Sequence, residues 1–310
     1  MLSRFVRTRR GLAHMALASL FFSSMTLLVK LGGKRFPVFE LVFVRSLVSL
    51  VIAGWVLRRA GIPRWGHNRR LLFLRGAFGM TALCCYFFAV THLPLAEATV
   101  IQFTNPLFTA LMAALILNER LYAYELGCAL LSLAGVALVA RPGHLFSAAA
   151  MPLDLLALGV ALGGAVLSAA AYTSVRKLRE TDHPMVVVWY LPLVSTPMIL
   201  PLAVRDWVWP TLAEWLLLAA IGVFAQLGQI HMTRSLHLET AARATAVSYL
   251  QIAFAIGLGL AVFRETPAWS TLVGAALVIA GTLALAARRG RGAAGTAARE
   301  PALEAATVAP

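Results

Sequence analysis

Gln102, Asn105, Ser248 and Gln251 are the side chains of this sequence best suited to grip a polar molecule, since each interrupts an otherwise apolar stretch. An amide donates and accepts hydrogen bonds without carrying charge, so it orients a solute but makes or breaks no bond in it. The alternative is that these groups join helices to one another, at about 0.6–2 kcal/mol per bond. Gln226 and Gln229 are three positions apart and share a helical face, whereas His231 lies about 200° round from Gln229. Gln226 is the candidate from that group. Tyr86, Tyr172 and Tyr249 add ring faces for stacking on a flat or cationic solute, against the alternative that they simply fill space.

Among the charges, Arg45 stands alone. It lies seven residues into an apolar stretch, about 10 Å along a helix axis, where a guanidinium must snorkel, pair, face water or hold an anionic group. Glu40 is about 140° away on the same helix and a poor partner, while Glu97 is a candidate across the bundle. Glu119 and Glu265 adjoin Arg120 and Arg264 and suit ion pairs that close or anchor helix ends, with plain solvation as the alternative. No carboxylate falls in the middle of an apolar stretch, so the usual buried acid of a proton relay is not visible.

Nothing in the sequence groups into a catalyst. His-Glu-x-x-His, Gly-x-Ser-x-Gly and a phosphate-binding loop are all missing from it. Cys84, Cys85 and Cys128 have neither metal-ligand spacing nor a disulfide framework and read as small buried hydrophobes. The expectation is therefore no catalytic residue, no metal and no cofactor.

The elements that must position these groups are long apolar helices. Of 310 residues 60% are hydrophobic, and mean hydropathy is +0.80. A bilayer crossing needs roughly 20 apolar residues. Ten stretches approach or meet that length: 11–31, 38–57, 71–91, 93–117, 124–140, 153–175, 185–204, 212–231, 240–263 and 268–287. The first lacks a small-residue cleavage site and runs on to Lys30, so it reads as a retained helix. If the N-terminus is cytoplasmic, nineteen of the 27 Lys and Arg residues fall on inner segments and six on outer ones. That bias follows the positive-inside rule and puts both termini in the cytoplasm. It also accounts for the net charge of +14 without nucleic acid, whose binding would gather the charges on one exposed face. The partners expected are a small-molecule solute, membrane lipid and, as one option, a second copy in a homodimer.

The chain also resembles itself at a shift of 146 residues. Gly76 then meets Gly222, Thr99 meets Thr245, Asn105 meets Gln251, Glu119 meets Glu265 and Gly135 meets Gly281. Each half carries five stretches, an odd number, so the second half crosses in the opposite sense. The fold expected is an all-α polytopic membrane protein, with ten transmembrane helices in two inverted five-helix repeats. Its parts are a basic N-terminus 1–10, repeats 11–145 and 153–287, and a disordered cytoplasmic tail 288–310. Inverted repeats suit a site that faces each side of the membrane in turn.

Leu93-Pro94-Leu95-Ala96-Glu97-Ala98, Asn118-Glu119-Arg120, its Arg264-Glu265 echo and the Gly-rich fifth and tenth stretches resemble the EamA family of the drug/metabolite transporter superfamily. The resemblance covers roughly residues 10 to 290. It implies a bacterial inner-membrane carrier whose central cavity is lined mainly by spans 3, 4, 8 and 9, with 1 and 6 contributing. Members of the family move amino acids, vitamins, nucleoside-like metabolites and drugs. Ala98-Thr99-Val100-Ile101 is similar to the branch containing S-adenosylmethionine and riboflavin carriers. Three functions compete: a carrier of small organic solutes working by alternating access, a non-transporting scaffold or regulator, and a membrane-embedded enzyme. Polar residues at mid-span favour the first.

Overall fold

The computed structural model describes residues 2–116, 123–140, 154–178, 181–238, 247–281 and 283–284. Expectations placed on Glu119 and on the tail 288–310 fall outside them. The described residues form eleven helices and no strand. They are α1 Leu2–Gly32, α2 Val38–Arg59, α3 Arg69–His92, α4 Leu95–Gln102, α5 Asn105–Ile116, α6 Ala123–Ala140, α7 Leu155–Leu178, α8 Pro184–Arg205, α9 Leu212–Leu238, α10 Leu250–Phe263 and α11 Trp269–Gly281. Six segments, in α1, α2, α3, α7, α8 and α9, are long and apolar enough to cross a bilayer, while α10 and α11 are shorter apolar helices. Large apolar side chains such as Val51, Leu155 and Leu216 face outward, as lipid contact demands.

The fourth stretch, 93–117, is not one continuous helix. It divides into α4 and α5 at Phe103 and Thr104. Pro106 has no N–H with which to reach the Gln102 carbonyl, and α4 ends at Gln102. The ninth stretch breaks at Tyr249, between helical residues 247–248 and α10. No proline stands there. The Ile252 amide donates to the Tyr249 carbonyl at 2.9 Å in a tightened turn, and the Ser248 carbonyl is taken instead by the Ser19 hydroxyl of α1 at 3.3 Å.

Packing recurs at the 146-residue shift. α1 packs on α9 as α3 packs on α7, and α2 on α9 as α8 on α3. Gly76 admits Val194 so closely that a methyl there would lie 2.8 Å from its side chain; its counterpart Gly222 admits Val48, Val194's own counterpart, at 2.5 Å. Gly135 lies against the Gly274 backbone, and its counterpart Gly281 against that of Cys128, which corresponds to Gly274. By contrast, Gly159 and Gly163, whose Gly-x-x-x-Gly spacing reads as a packing motif, face open space. Gly164, one residue on, makes the close approach to Cys85 instead.

Asp182 ties two loops together at the end where α3 begins. Its carboxylate accepts from the His67 amide at 2.6 Å, the Asn68 amide at 3.3 Å and the Thr181 hydroxyl at 2.7 Å. Burial opposes its ionisation, but these donors outweigh it and hold the carboxyl below its ordinary value. A carboxyl lowered in this way stabilises the fold at neutral pH, and the contribution is lost as pH falls through its folded value. Asp182→Asn should therefore cost about 1–2 kcal/mol at pH 7. In melts of the purified protein, its gap to the wild type should close below the ordinary aspartate range.

Candidate functional site

Tyr86 of α3 is the centre of the best-connected polar group in the bundle. Its buried hydroxyl lies 3.2 Å from the Thr26 hydroxyl of α1 and also hydrogen-bonds the side chains of Thr99 in α4 and Gln251 in α10. One tyrosine thus joins four helices from both halves of the chain. Ser23 holds the Gln251 backbone carbonyl at 3.3 Å, one turn from Ser19's bond to Ser248, so α1 braces the helix break beside the node. Gln102, at the end of α4, donates to the Ser168 hydroxyl of α7 at 3.1 Å. Asn105 is half-buried at the first position of α5.

The two helix breaks meet. Phe103 and Tyr249 are counterparts at the 146-residue shift, and their ring centroids are 5.1 Å apart. Gln102, Ser248, Tyr249, Gln251 and Tyr86 therefore belong to one region built around broken backbone. Such breaks are tolerated in a membrane only where protein or a wet cavity surrounds them. Tyr172 stands elsewhere on α7, beside Arg75, with its ring 44% exposed. Gln226 of α9 is 3% exposed and its amide nitrogen has no partner.

The residues read as ion-pair candidates separate. Glu265 binds Lys30 of α1 rather than its neighbour Arg264. Its other oxygen accepts the Leu95 amide at 3.0 Å, and Lys30 also donates to the Leu93 carbonyl at 2.9 Å. Arg264 makes this possible by ending α10 in a left-handed conformation, φ 56°, which turns the chain back over the helix. Glu97 accepts from Thr271 of α11 at 2.8 Å and does not meet Arg45. Glu97 and Glu265 line one small cavity of about 140 Å³ together with Pro94, Ala96 and Gly259. At the same end, Glu40 accepts the Val208 amide at 3.0 Å and Arg35 pairs with Glu214 at 2.8 Å. That end of the bundle is closed by polar contacts.

Sequence reasoning missed several of these partners. Lys30, Thr26 and Ser168 carry no motif, and the Ala98-Thr99-Val100-Ile101 motif does not mark Thr99 as a partner of Tyr86. Lys30 and Glu265 do fall on the same side in the span assignment, which was the available clue. His231 contacts His14 of α1 at 2.9 Å, a pairing between residues 217 positions apart. Among the described residues no cluster of His, Cys, Asp or Glu is arranged to hold a metal ion.

This arrangement has known counterparts. The EamA-like transporter family model matches the chain twice, over residues 9–141 and 155–287. The pseudopaline exporter CntI of Pseudomonas aeruginosa is 34% identical over 278 residues, covering 89% of this chain and 96% of that protein. Solute carrier family 35 member G1 of Mus musculus is 29% identical, covering 90% and 78%, and the S-adenosylmethionine uptake transporter of Rickettsia bellii is 25% identical, covering 88% and 92%. A solved crystal structure 20% identical in sequence has the same fold, with a TM-score of 0.63 over 90% of this chain and 98% of that one. These relatives are named as transporters, not enzymes. The chain is a multi-pass membrane protein that belongs to the EamA-like transporter family.

Proposed function

We propose that the chain is a carrier of a small organic solute across the bacterial inner membrane, working by alternating access. Its ten spans form two inverted five-helix repeats, 11–145 and 153–287, with both termini cytoplasmic. The observation that carries this reading is the Phe103–Tyr249 contact between equivalent helix breaks. Residues related by a two-fold axis touch each other only on that axis, so the pseudo-two-fold passes between the breaks. A solute held there is equidistant, in fold terms, from both mouths, which is the geometry alternating access requires. The paired Gly76–Val194 and Gly222–Val48 contacts support the same axis.

The solute is bound by Gln102, Asn105, Ser248 and Gln251, with Tyr86, Tyr172 and Tyr249 supplying ring surface and Gln226 its free amide nitrogen. Lys30–Glu265 closes the outer mouth. The named relatives include both an exporter and an uptake transporter, so direction does not transfer by likeness. The test is an untargeted metabolite comparison of cells and medium, with the chain expressed at matched levels against an empty vector. A solute class redistributed between compartments is the expected result. Chemical conversion without redistribution would replace the carrier by an enzyme, and no change in either would favour a scaffold.

A further inference from the structure

Two guanidinium groups lie inside the bundle, and among the described residues no carboxylate forms an ion pair with either. Arg45 of α2 is 4% exposed and its Nε has no partner; Arg75 of α3 has neither Nε nor one terminal nitrogen satisfied. The ionisable neighbours of Arg45 are Arg75 and Cys84, and that of Arg75 is the Tyr172 hydroxyl. They approach from opposite ends. Arg45 lies seven residues from the start of α2, about 10 Å along the axis, and Arg75 six residues from the start of α3, about 9 Å. Arg75 reaches further inward still, because a methyl at Gly79, one turn on, would lie 3.4 Å from its terminal nitrogen. Both arginines therefore lie between the two ends of the bundle, near enough for the charge of Arg75 to act on Arg45.

Five of the described carboxylates have partners elsewhere. Glu40, Glu97, Glu214 and Glu265 accept from Val208, Thr271, Thr211 and Lys30, all at the outer end, and Asp182 serves the inner loops. The fold itself does not ask for the charges either. At the 146-residue shift Arg45 corresponds to Leu191 and Arg75 to Ile221, so the other half builds the same positions from apolar side chains. A buried charge without a counter-charge is costly, and within a membrane it marks a solute or ion path. The Tyr172 hydroxyl lies beside Arg75.

We propose that Arg45 and Arg75 form an oxyanion receptor, and that the solute of this carrier is an anion bearing a carboxylate or phosphate group. The guanidinium fork binds planar carboxylates and phosphates through two parallel hydrogen bonds, which a lysine does not reproduce. The anion supplies the missing counter-charge, and the amide and tyrosine groups nearby orient the rest of the solute. This rests on the carrier reading and names the class of its cargo.

The test uses the purified full chain in phosphatidylcholine discs, followed by melting. Citrate, succinate, glutamate and inorganic phosphate are titrated as sodium salts at an ionic strength held constant with sodium chloride. At least one should raise the wild-type midpoint saturably. Arg45→Gln and Arg75→Gln should weaken that response at least tenfold, while their ligand-free midpoints stay level or rise because a buried charge has gone. Arg45→Lys and Arg75→Lys keep the charge, guard against misfolding of the Gln variants, and should respond in between. Wild-type protein unresponsive to all four anions, or Gln and Lys variants that respond as the wild type does, would overturn the proposal. So would a response confined to phosphatidylglycerol added to the discs, which would assign the arginines to a lipid headgroup. A chain that moves solute in cells yet ignores these anions keeps its carrier role and loses only this cargo.

Discussion

Glu265→Gln should open the end of the bundle that we assign to the outer face. One carboxylate there holds three elements: Lys30 of α1, the Leu95 amide at the start of α4, and its own position just past α10. Glutamine leaves an acceptor for Leu95 but removes the charge that draws Lys30. Hydrogen bonds to charged groups are worth about 1.5–3 kcal/mol against about 0.5–1.5 for neutral ones. The loss is therefore about 1–2 kcal/mol, or a factor of roughly 5–30 in the open population. A cysteine at Ala96, buried in the outer cavity beside Glu97, reports the opening in a background lacking Cys84, Cys85 and Cys128. Its labelling by a membrane-impermeant maleimide should accelerate by that factor in Glu265→Gln. Lys30→Glu combined with Glu265→Lys should recover only part of the slow labelling, because the ion pair returns while the Leu95 amide and the Leu93 carbonyl stay without their partners. Equal rates in the wild type and Glu265→Gln would show that the outer end is closed by Glu40, Glu97 and Arg35 without this pair.

What was legible beforehand follows from how local each feature is. Long apolar runs announce α1, α2, α3, α7, α8 and α9, because membrane crossing is a property of about 20 consecutive residues. Pro106 has a local effect on the fourth stretch, since its missing amide leaves the Gln102 carbonyl where α4 ends. The matching break at Tyr249 has no local cause. It depends on Ser19 and Ser23, more than two hundred residues away, accepting the role of hydrogen-bond donors. The Gln251 amide was legible as polar in an apolar run, but Tyr86 and Thr26 as its company were not, since three separate helices must first be docked. Arg45 was visible and Arg75 was passed over, because a start at Leu71 placed it near a helix end. With α3 beginning at Arg69 and the side chain turned toward Gly79, it reaches away from the helix end and into the bundle.

Gln251→Ala should cut solute flux roughly tenfold to a hundredfold while the protein folds normally. The separation is possible because the backbone and side chain of Gln251 do different jobs. Its carbonyl is held by Ser23, a bond that alanine retains, so the helix break keeps its brace. Its amide reaches Tyr86, and that contact alone is lost. The Tyr86 hydroxyl keeps Thr26 and Thr99, but the solute loses an amide that orients it, and a barrier raised by about 1.4–2.7 kcal/mol slows a step by roughly ten- to a hundredfold. Tyr86→Phe approaches the same node from the other side. It takes the hydroxyl from Thr26, Thr99 and Gln251 at once, the two threonines keeping their bonds to the Phe22 and Leu95 carbonyls. Its flux defect should match or exceed that of Gln251→Ala, and the double variant should be no worse than the poorer single. Non-additivity of that kind distinguishes one shared node from two separate contacts. Gly159→Leu, which adds bulk on a face with open space, should transport at the wild-type rate and controls for span packing. If Gln251→Ala and Asn105→Ala both carry solute at that rate, the amides join helices rather than hold cargo. The binding site then lies with Arg45, Arg75 and Tyr172, the other polar group of the interior.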